Sequence, residues 1–141
     1  MMRTEEYIDT VSGEKLEKEI QYYEDDKILR ENYYLNEKSH RIDGPSDIWY
    51  FEDGSVKFTC YYINDRCHRE DGSAKTWYRR DGKISREEYW KSGKIHRENV
   101  PAEIIYDESG NIQQERYYLN GIECDILQEM VIRGLEMEKT I

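Results

Sequence analysis

Tyr61-Tyr62-Ile63-Asn64-Asp65-Arg66-Cys67-His68-Arg69-Glu70-Asp71-Gly72-Ser73-Ala74-Lys75-Thr76-Trp77-Tyr78-Arg79-Arg80-Asp81-Gly82-Lys83-Ile84-Ser85-Arg86-Glu87-Glu88 is one phrase of 28 residues. The chain repeats it. Tyr33-Tyr34-Leu35-Asn36 opens the preceding copy and Tyr89-Trp90 the following one. Tyr117-Tyr118-Leu119-Asn120 opens a fourth that breaks off early. Inner landmarks keep the same step: His40, His68 and His96; Arg41, Arg69 and Arg97; Tyr50, Tyr78 and Tyr106; Gly54, Gly82 and Gly110. A fixed period without insertions is the mark of a repeat architecture, in which each unit buries its apolar side against its neighbours.

Within a copy the pattern is that of strands and turns. Asp47 to Phe51 is rich in strand formers, Glu52-Asp53-Gly54 supplies a tight turn, and Val56 to Ile63 reads as a second long strand. Asn64-Asp65-Arg66 turns again, Cys67-His68 is a short third piece, and Arg69 to Ser73 loops into the next copy. Turn signals at this spacing predict an all-β chain. Strict alternation places Val56, Phe58, Cys60 and Tyr62 on one face and Lys57, Thr59, Tyr61 and Ile63 on the other. Each long strand thus carries rings on both faces. This favours an extended, twisted, single-layer antiparallel sheet (a meander) over a sandwich with one wet face.

The whole of 1–141 reads as a single repeat domain. Residues 1–32 form a degenerate leading copy: Tyr22 and Asp25-Asp26-Lys27-Ile28 fall one period before Tyr50 and Asp53-Gly54-Ser55-Val56. Lys15 to Tyr23 alternates as a strand, with a short helix over 14–23 as the competing reading. Residues 1–12 read as irregular, leaving a sheet edge that invites pairing with a second copy, a possible homodimer. Residues 33–124 hold the repeats. Over 125–141 the period changes: Ile126, Leu127, Met130 and Val131 make one helical stripe behind Asp125 as N-cap, which predicts a short C-terminal capping helix.

Leu, Ile, Val and Phe total only 27 of 141 residues and the net charge is −10, a composition that leans towards disorder. The 13 Tyr and 3 Trp, recurring in register, argue for a folded chain with a thin aromatic core. Cys60, Cys67 and Cys124 show no metal-type spacing. A Cys60–Cys67 disulfide across the turn is conceivable, but three reduced thiols in a cytoplasmic protein is the favoured reading. The first residues lack the apolar run of a signal peptide, and no stretch reaches the length of a membrane span.

These phrases resemble the MORN-repeat family, and more closely its variant form in bacterial and viral proteins. The resemblance rests on Tyr33 to Lys38, His40 to Ser46 and Trp49 to Gly54, echoed in the later copies, and covers about 20–124. Glu37 and Asp65 stand where Gly is usual, and Val100 stands where Gly is expected, so those turns are expected to be less regular. The resemblance implies a meandering antiparallel sheet and a binding role, often in antitoxin or immunity components or in phage and viral accessory proteins. It implies neither catalysis nor a dedicated cofactor.

The residues themselves point the same way. The three His precede Arg at one period, but copies in a sheet stand several strands apart at about 4.8 Å per strand, too far to share one ion. No metal site is expected, and the His-Arg-x-Asp-Gly phrase reads as a structural bend capped by Asp43 or Asp71. The carboxylates have no cleft in which to act as an acid/base pair. There is no phosphate loop or nucleophile elbow, so neither catalytic residues nor cofactors are expected. Charge is uneven: residues 1–37 sum to −6, 38–97 to +3 and 98–141 to −7. The expected function is a non-enzymatic module of immunity, antitoxin or inhibitor type that binds another protein. Trp49, Trp77, Tyr61, Tyr89, Arg69, Arg79, Arg80 and Arg86 are its candidate contacts. The alternative is an acidic, phage-type anti-defence inhibitor filling the nucleic-acid groove of a nuclease. Direct nucleic-acid or membrane binding is not expected of so acidic a chain.

Overall fold

The computed structural model describes residues 1–125. The capping helix expected over 125–141 lies, beyond its first residue, outside them. The described chain is all-β. Its strands are β1 (Met2–Ile8), β2 (Lys15–Tyr22), β3 (Ile28–Leu35), β4 (Lys38–Ser39), β5 (Asp47–Tyr50), β6 (Val56–Cys60), β7 (Tyr62–Ile63) and β8 (Arg66–Cys67). They continue as β9 (Lys75–Tyr78), β10 (Ile84–Glu88), β11 (Trp90–Lys91), β12 (Lys94–Ile95), β13 (Glu103–Tyr106), β14 (Ile112–Leu119) and β15 (Ile122–Cys124). One open antiparallel sheet runs β1-β2-β3-β5-β6-β9-β10-β13-β14-β15, and β7–β8 and β11–β12 form two small hairpins beside it. Among the described residues no helix is long and apolar enough to cross a membrane.

Three features depart from simple alternation. The long strand expected over Val56–Ile63 is cut at Tyr61, whose N–H turns aside to Ala74 O and whose C=O accepts from His68 N. Tyr62 and Ile63 then leave the main ladder and pair with Cys67 and Arg66. A bulge also shifts the register between Trp49 and Tyr50, pairing Trp49 with Phe58 but Tyr50 with Val56. Cross-strand partners share a face, so Val56 lies opposite the face of Phe58, and the expected shared face fails at the extra residue. Finally, residues 1–12 are not irregular: β1 pairs with β2 through seven consecutive residues. The strand reading of Lys15–Tyr23, by contrast, matches β2.

The hairpin turns are regular where irregularity was expected. Asn36 and Glu37 hold φ of 51° and 68°, and Asn64 and Asp65 hold 49° and 67°, close to Ser92 and Gly93 at 48° and 83°. Two successive positive φ angles make a type I′ turn, which matches the twist of a hairpin. Asp65 is compensated, because its Oδ1 accepts from Ser39 N at 2.7 Å. Glu37 has no such bond. The loop at Val100 does depart from its counterparts, as expected: Asn99 takes a φ of 71°, a left-handed value that Asp43 and Asp71 do not share.

Copies are latched by the histidines. His40, His68 and His96 each accept, through Nδ1, the backbone N–H of the next copy's turn: Asn64 at 3.2 Å, Ser92 at 2.8 Å and Asn120 at 2.9 Å. This fixes the proton on Nε2, which faces Glu14, Glu70 and Glu98 at 3.0, 2.8 and 3.7 Å. The apolar core is small. Leu16, Ile20 and Tyr33 are buried near the N-terminal end, and Cys60, Cys67 and Ala74 form a central cluster flanked by Phe58, Tyr62 and Trp90. Cys60 and Cys67 are free thiols with sulfurs 3.8 Å apart.

The N-terminal arm locks the first loop. Asp9, 1% exposed, accepts from Val11 N and Ser12 N on one oxygen and from Ile42 N and Asp43 N on the other. Asp43 in turn accepts from Tyr7 Oη, Thr10 N and Oγ1, and Arg41 Nε. Desolvation pushes both carboxyls up, but these donors outweigh it and hold both below the usual carboxylate range.

Two outcomes follow for stability. Glu37→Gly relieves a left-handed non-glycine residue and should raise stability by about 0.5–1 kcal/mol, read as a gain in Tm of roughly 2–3 °C. The depressed carboxyls bind protons in the unfolded chain before they do in the folded one. Their stabilisation is therefore complete above about pH 4 and drains away as pH falls further. Asp43→Asn should cost ~2 kcal/mol at neutral pH and flatten this acid limb. Urea melts at a series of pH values check both; an unchanged slope below pH 4 contradicts the assignment.

Candidate partner-binding surface

The bulges decide which side chains share a face. Through the ladder, Arg30 pairs with Trp49, Trp49 with Phe58, Phe58 with Trp77, Trp77 with Arg86, and Arg86 with Ile105. These residues form one row across six strands, β3 to β13, on what is here called the ring face. Arg30 stacks over Trp49 at 4.5 Å, Phe58 meets Trp77 at 4.9 Å, and Arg86 stacks over Trp77 at 4.9 Å. The row is therefore three rings bracketed by two guanidinium groups. All five side chains are half-buried.

A second row on the same face holds the guanidinium groups in place. Asp47 receives Arg30 Nε and Nη2 at 2.9 and 3.0 Å, a bidentate pair. Arg86 Nη2 bridges Glu88 at 2.5 Å and Glu103 at 2.7 Å. Both carboxylates are buried and directly opposite one another. Glu88 also accepts from Trp90 Nε1 at 2.9 Å, and Lys75 lies over the Trp90 ring at 4.5 Å. The rings are thus presented by arginines that are themselves fixed, so little side-chain entropy remains to be lost on contact.

The opposite face is built of tyrosines. Tyr50 bonds Glu31, and Tyr106 donates to Glu87 at 2.5 Å. In the middle copy the period places Thr59 at the position of these two glutamates. At the loops, Arg41, Arg69 and Arg97 stack on Tyr33, Tyr61 and Tyr89 at 4.1, 4.1 and 3.7 Å and donate to the carbonyls of Pro45, Ser73 and Pro101. A Cβ on Gly44 or Gly72 would come within 2.9 Å of the Arg41 or Arg69 guanidinium carbon, so the glycines make room for the fold-back.

The expected contact residues are therefore divided. Trp49, Trp77 and Arg86 share the ring face. Tyr61, Tyr89 and Arg69 are joined in clamps on the tyrosine side. Arg79 donates to Tyr106 O at 2.9 Å, and Arg80 covers Phe51 at 4.8 Å, both at the turn. Sequence reading passed over Arg30 and Phe58. Their signal was the period itself, since positions 30, 58, 86 and 114 are Arg, Phe, Arg and Gln. Asp43 and Asp71 serve as partners of Arg41 and Arg69. No group of three metal-type ligands occurs among the described residues.

The family model of the MORN repeat variant matches residues 48–64 and 102–120. The two matches end two periods apart, at Asn64 and Asn120, and each covers a main-sheet hairpin with the start of its following turn. The chain carries MORN-like repeats. No curated protein and no solved structure matches it.

Arg86→Met leaves two buried carboxylates without their shared cation. It should destabilise the chain by about 2 kcal/mol or more. Denaturant melts measure this beside Arg86→Lys, which keeps the cation; an equal cost in both variants would show that packing against Trp77 dominates.

Proposed function

We propose that this chain is a non-enzymatic protein-binding module of immunity, antitoxin or inhibitor type that takes a partner protein on its ring face. The observation that carries the reading is the row Arg30–Trp49–Phe58–Trp77–Arg86: rings and arginines in one line, half-exposed and fixed from beneath. Trp, Tyr and Arg are the residues that concentrate binding energy at protein interfaces. The clamps at Tyr61 and Tyr89 are spent on the chain's own loops, so they support the surface rather than extend it. A cytoplasmic setting agrees with the unbridged thiols of Cys60 and Cys67. The reading requires neither cofactor nor metal.

A second reading has its own observation. At the β1–β2 end, Glu5, Glu6, Glu17, Glu19 and Glu37 line a recess around Leu16 and Tyr34. An acidic corner of this kind would suit an anti-defence inhibitor that occupies the basic nucleic-acid groove of a nuclease.

One experiment separates them. The partner is captured from the native host, identified by mass spectrometry, and its affinity measured against salt for Trp77→Ile and Trp49→Ile. Ile105 already occupies this column, so the fold accommodates the change and Tm should fall by only a few degrees. On the ring-face reading affinity drops at least ~10-fold for either variant and changes little with salt. Affinity kept in both variants, with steep loss at high salt, would transfer the function to the acidic corner.

A further inference from the structure

Among the described residues β1 is the end strand of the sheet, with no further strand beside it. In β1, Met1 C=O accepts from Tyr22 N and Asp9 N donates to Glu14 O, so odd-numbered residues bond inward to β2. Met2, Thr4, Glu6 and Ile8 therefore turn their N–H and C=O outward. Edge strands are commonly blunted by bulges, prolines, short length or charged side chains, and of these β1 carries only charges, at Arg3, Glu5 and Glu6. The hairpins β2–β3, β5–β6, β9–β10 and β13–β14 each carry a register shift, but the β1–β2 pair runs unbroken over seven residues and β1 has no proline.

We infer that β1 pairs antiparallel with β1 of a second copy, about a two-fold axis at Thr4. The outward groups permit only registers that place even residues opposite even residues. Centred on Thr4, the register pairs Met2 with the partner's Glu6 through backbone bonds. It sets Arg3 against the partner's Glu5 twice, in the closer non-bonded positions, and Met1 against the partner's Tyr7. Centred on Glu5 instead, it sets Glu5 against the partner's Glu5 at that close spacing, and centred on Glu6 it opposes Glu6 to the partner's Glu6. Like charges directly opposite are unfavourable and unlike charges favourable, so charge selects Thr4. The axis stands normal to the sheet, so both copies present their ring faces to the same side. The dimer is isologous and closes. Its doubled ring face would engage a two-fold partner more tightly than either copy alone.

The test is light scattering on the untagged chain over a wide concentration range, with Tm recorded for each variant. The expected species is a concentration-dependent dimer of twice the 17.1 kDa chain mass. Thr4→Pro removes an outward N–H, which an edge position tolerates, and should give monomer with Tm nearly kept. Arg3→Glu and Glu5→Arg should each weaken the dimer at least ~10-fold, and Arg3→Glu with Glu5→Arg should return it to within a few-fold of the parent. A monomer at every concentration overturns the inference. So does a dimer indifferent to the single charge changes, or one not restored by the double exchange.

Discussion

Arginine laid flat on an aromatic ring is the contact on which this structure depends. The buried apolar residues are few and mostly small beyond Leu16, Ile20, Tyr33 and Ile104, far from the continuous aliphatic core of a sandwich. In their place Arg41, Arg69 and Arg97 cover Tyr33, Tyr61 and Tyr89, and Arg30 and Arg86 cover Trp49 and Trp77. The stem of each arginine hides apolar surface while its head stays in hydrogen bonds. Each contact is modest alone, about 0.5–1 kcal/mol where exposed, but in a repeat it recurs copy after copy. This reconciles a composition near the disordered range with a regular sheet.

That dependence explains why the loops are constrained. Folding Arg41 or Arg69 back onto its tyrosine leaves no space for a side chain at Gly44 or Gly72. At the third copy Val100 occupies this place, Asn99 takes the left-handed φ, and Arg97 still sits 3.7 Å from Tyr89. The stack is kept and the backbone adjusts. The histidines work on the other side of the same joint, each receiving a backbone N–H from the turn one copy on. A metal-like row of imidazoles is thereby a row of acceptors, each bound within its own joint.

The period, the turns and the strand class were legible because they are local: Gly, Asn and Asp mark turns wherever they occur, and rings return every 28 residues. The faces were not. Val56-Lys57-Phe58 reads as clean alternation, yet one extra residue sets Val56 and Phe58 on opposite faces, and nothing in three residues announces a bulge. The break at Tyr61 was hidden for the same reason, since its cause is a hydrogen bond to Ala74 across the loop. Of the ring-face row, Trp49, Trp77 and Arg86 stood among the expected contacts as the Trp and Arg of complete copies, and Phe58 did not. Arg30 was missed because its surroundings have drifted, although its place in the period had not. The regular pairing of β1 was invisible because Arg3-Thr4-Glu5-Glu6 lacks apolar residues and is held by β2 rather than by its own propensity.

The repeats also carry an internal comparison that bears on which face is used. Positions bound to the joint are the same in every copy: Tyr33, Tyr61 and Tyr89; His40, His68 and His96; Arg41, Arg69 and Arg97; Tyr50, Tyr78 and Tyr106. These include the groups that latch one copy to the next and clamp each loop. The ring-face row obeys no such rule. Where it carries Trp, Trp and Ile at 49, 77 and 105, and Arg, Phe, Arg and Gln at 30, 58, 86 and 114, the backbone pairing is the same throughout. Packing therefore tolerates Ile in the column of Trp and Gln in the row of Arg. Half-exposed Trp in adjacent copies, at a place where the sheet also accepts Ile, with an arginine on each outer side, is the feature on which the proposed binding face rests.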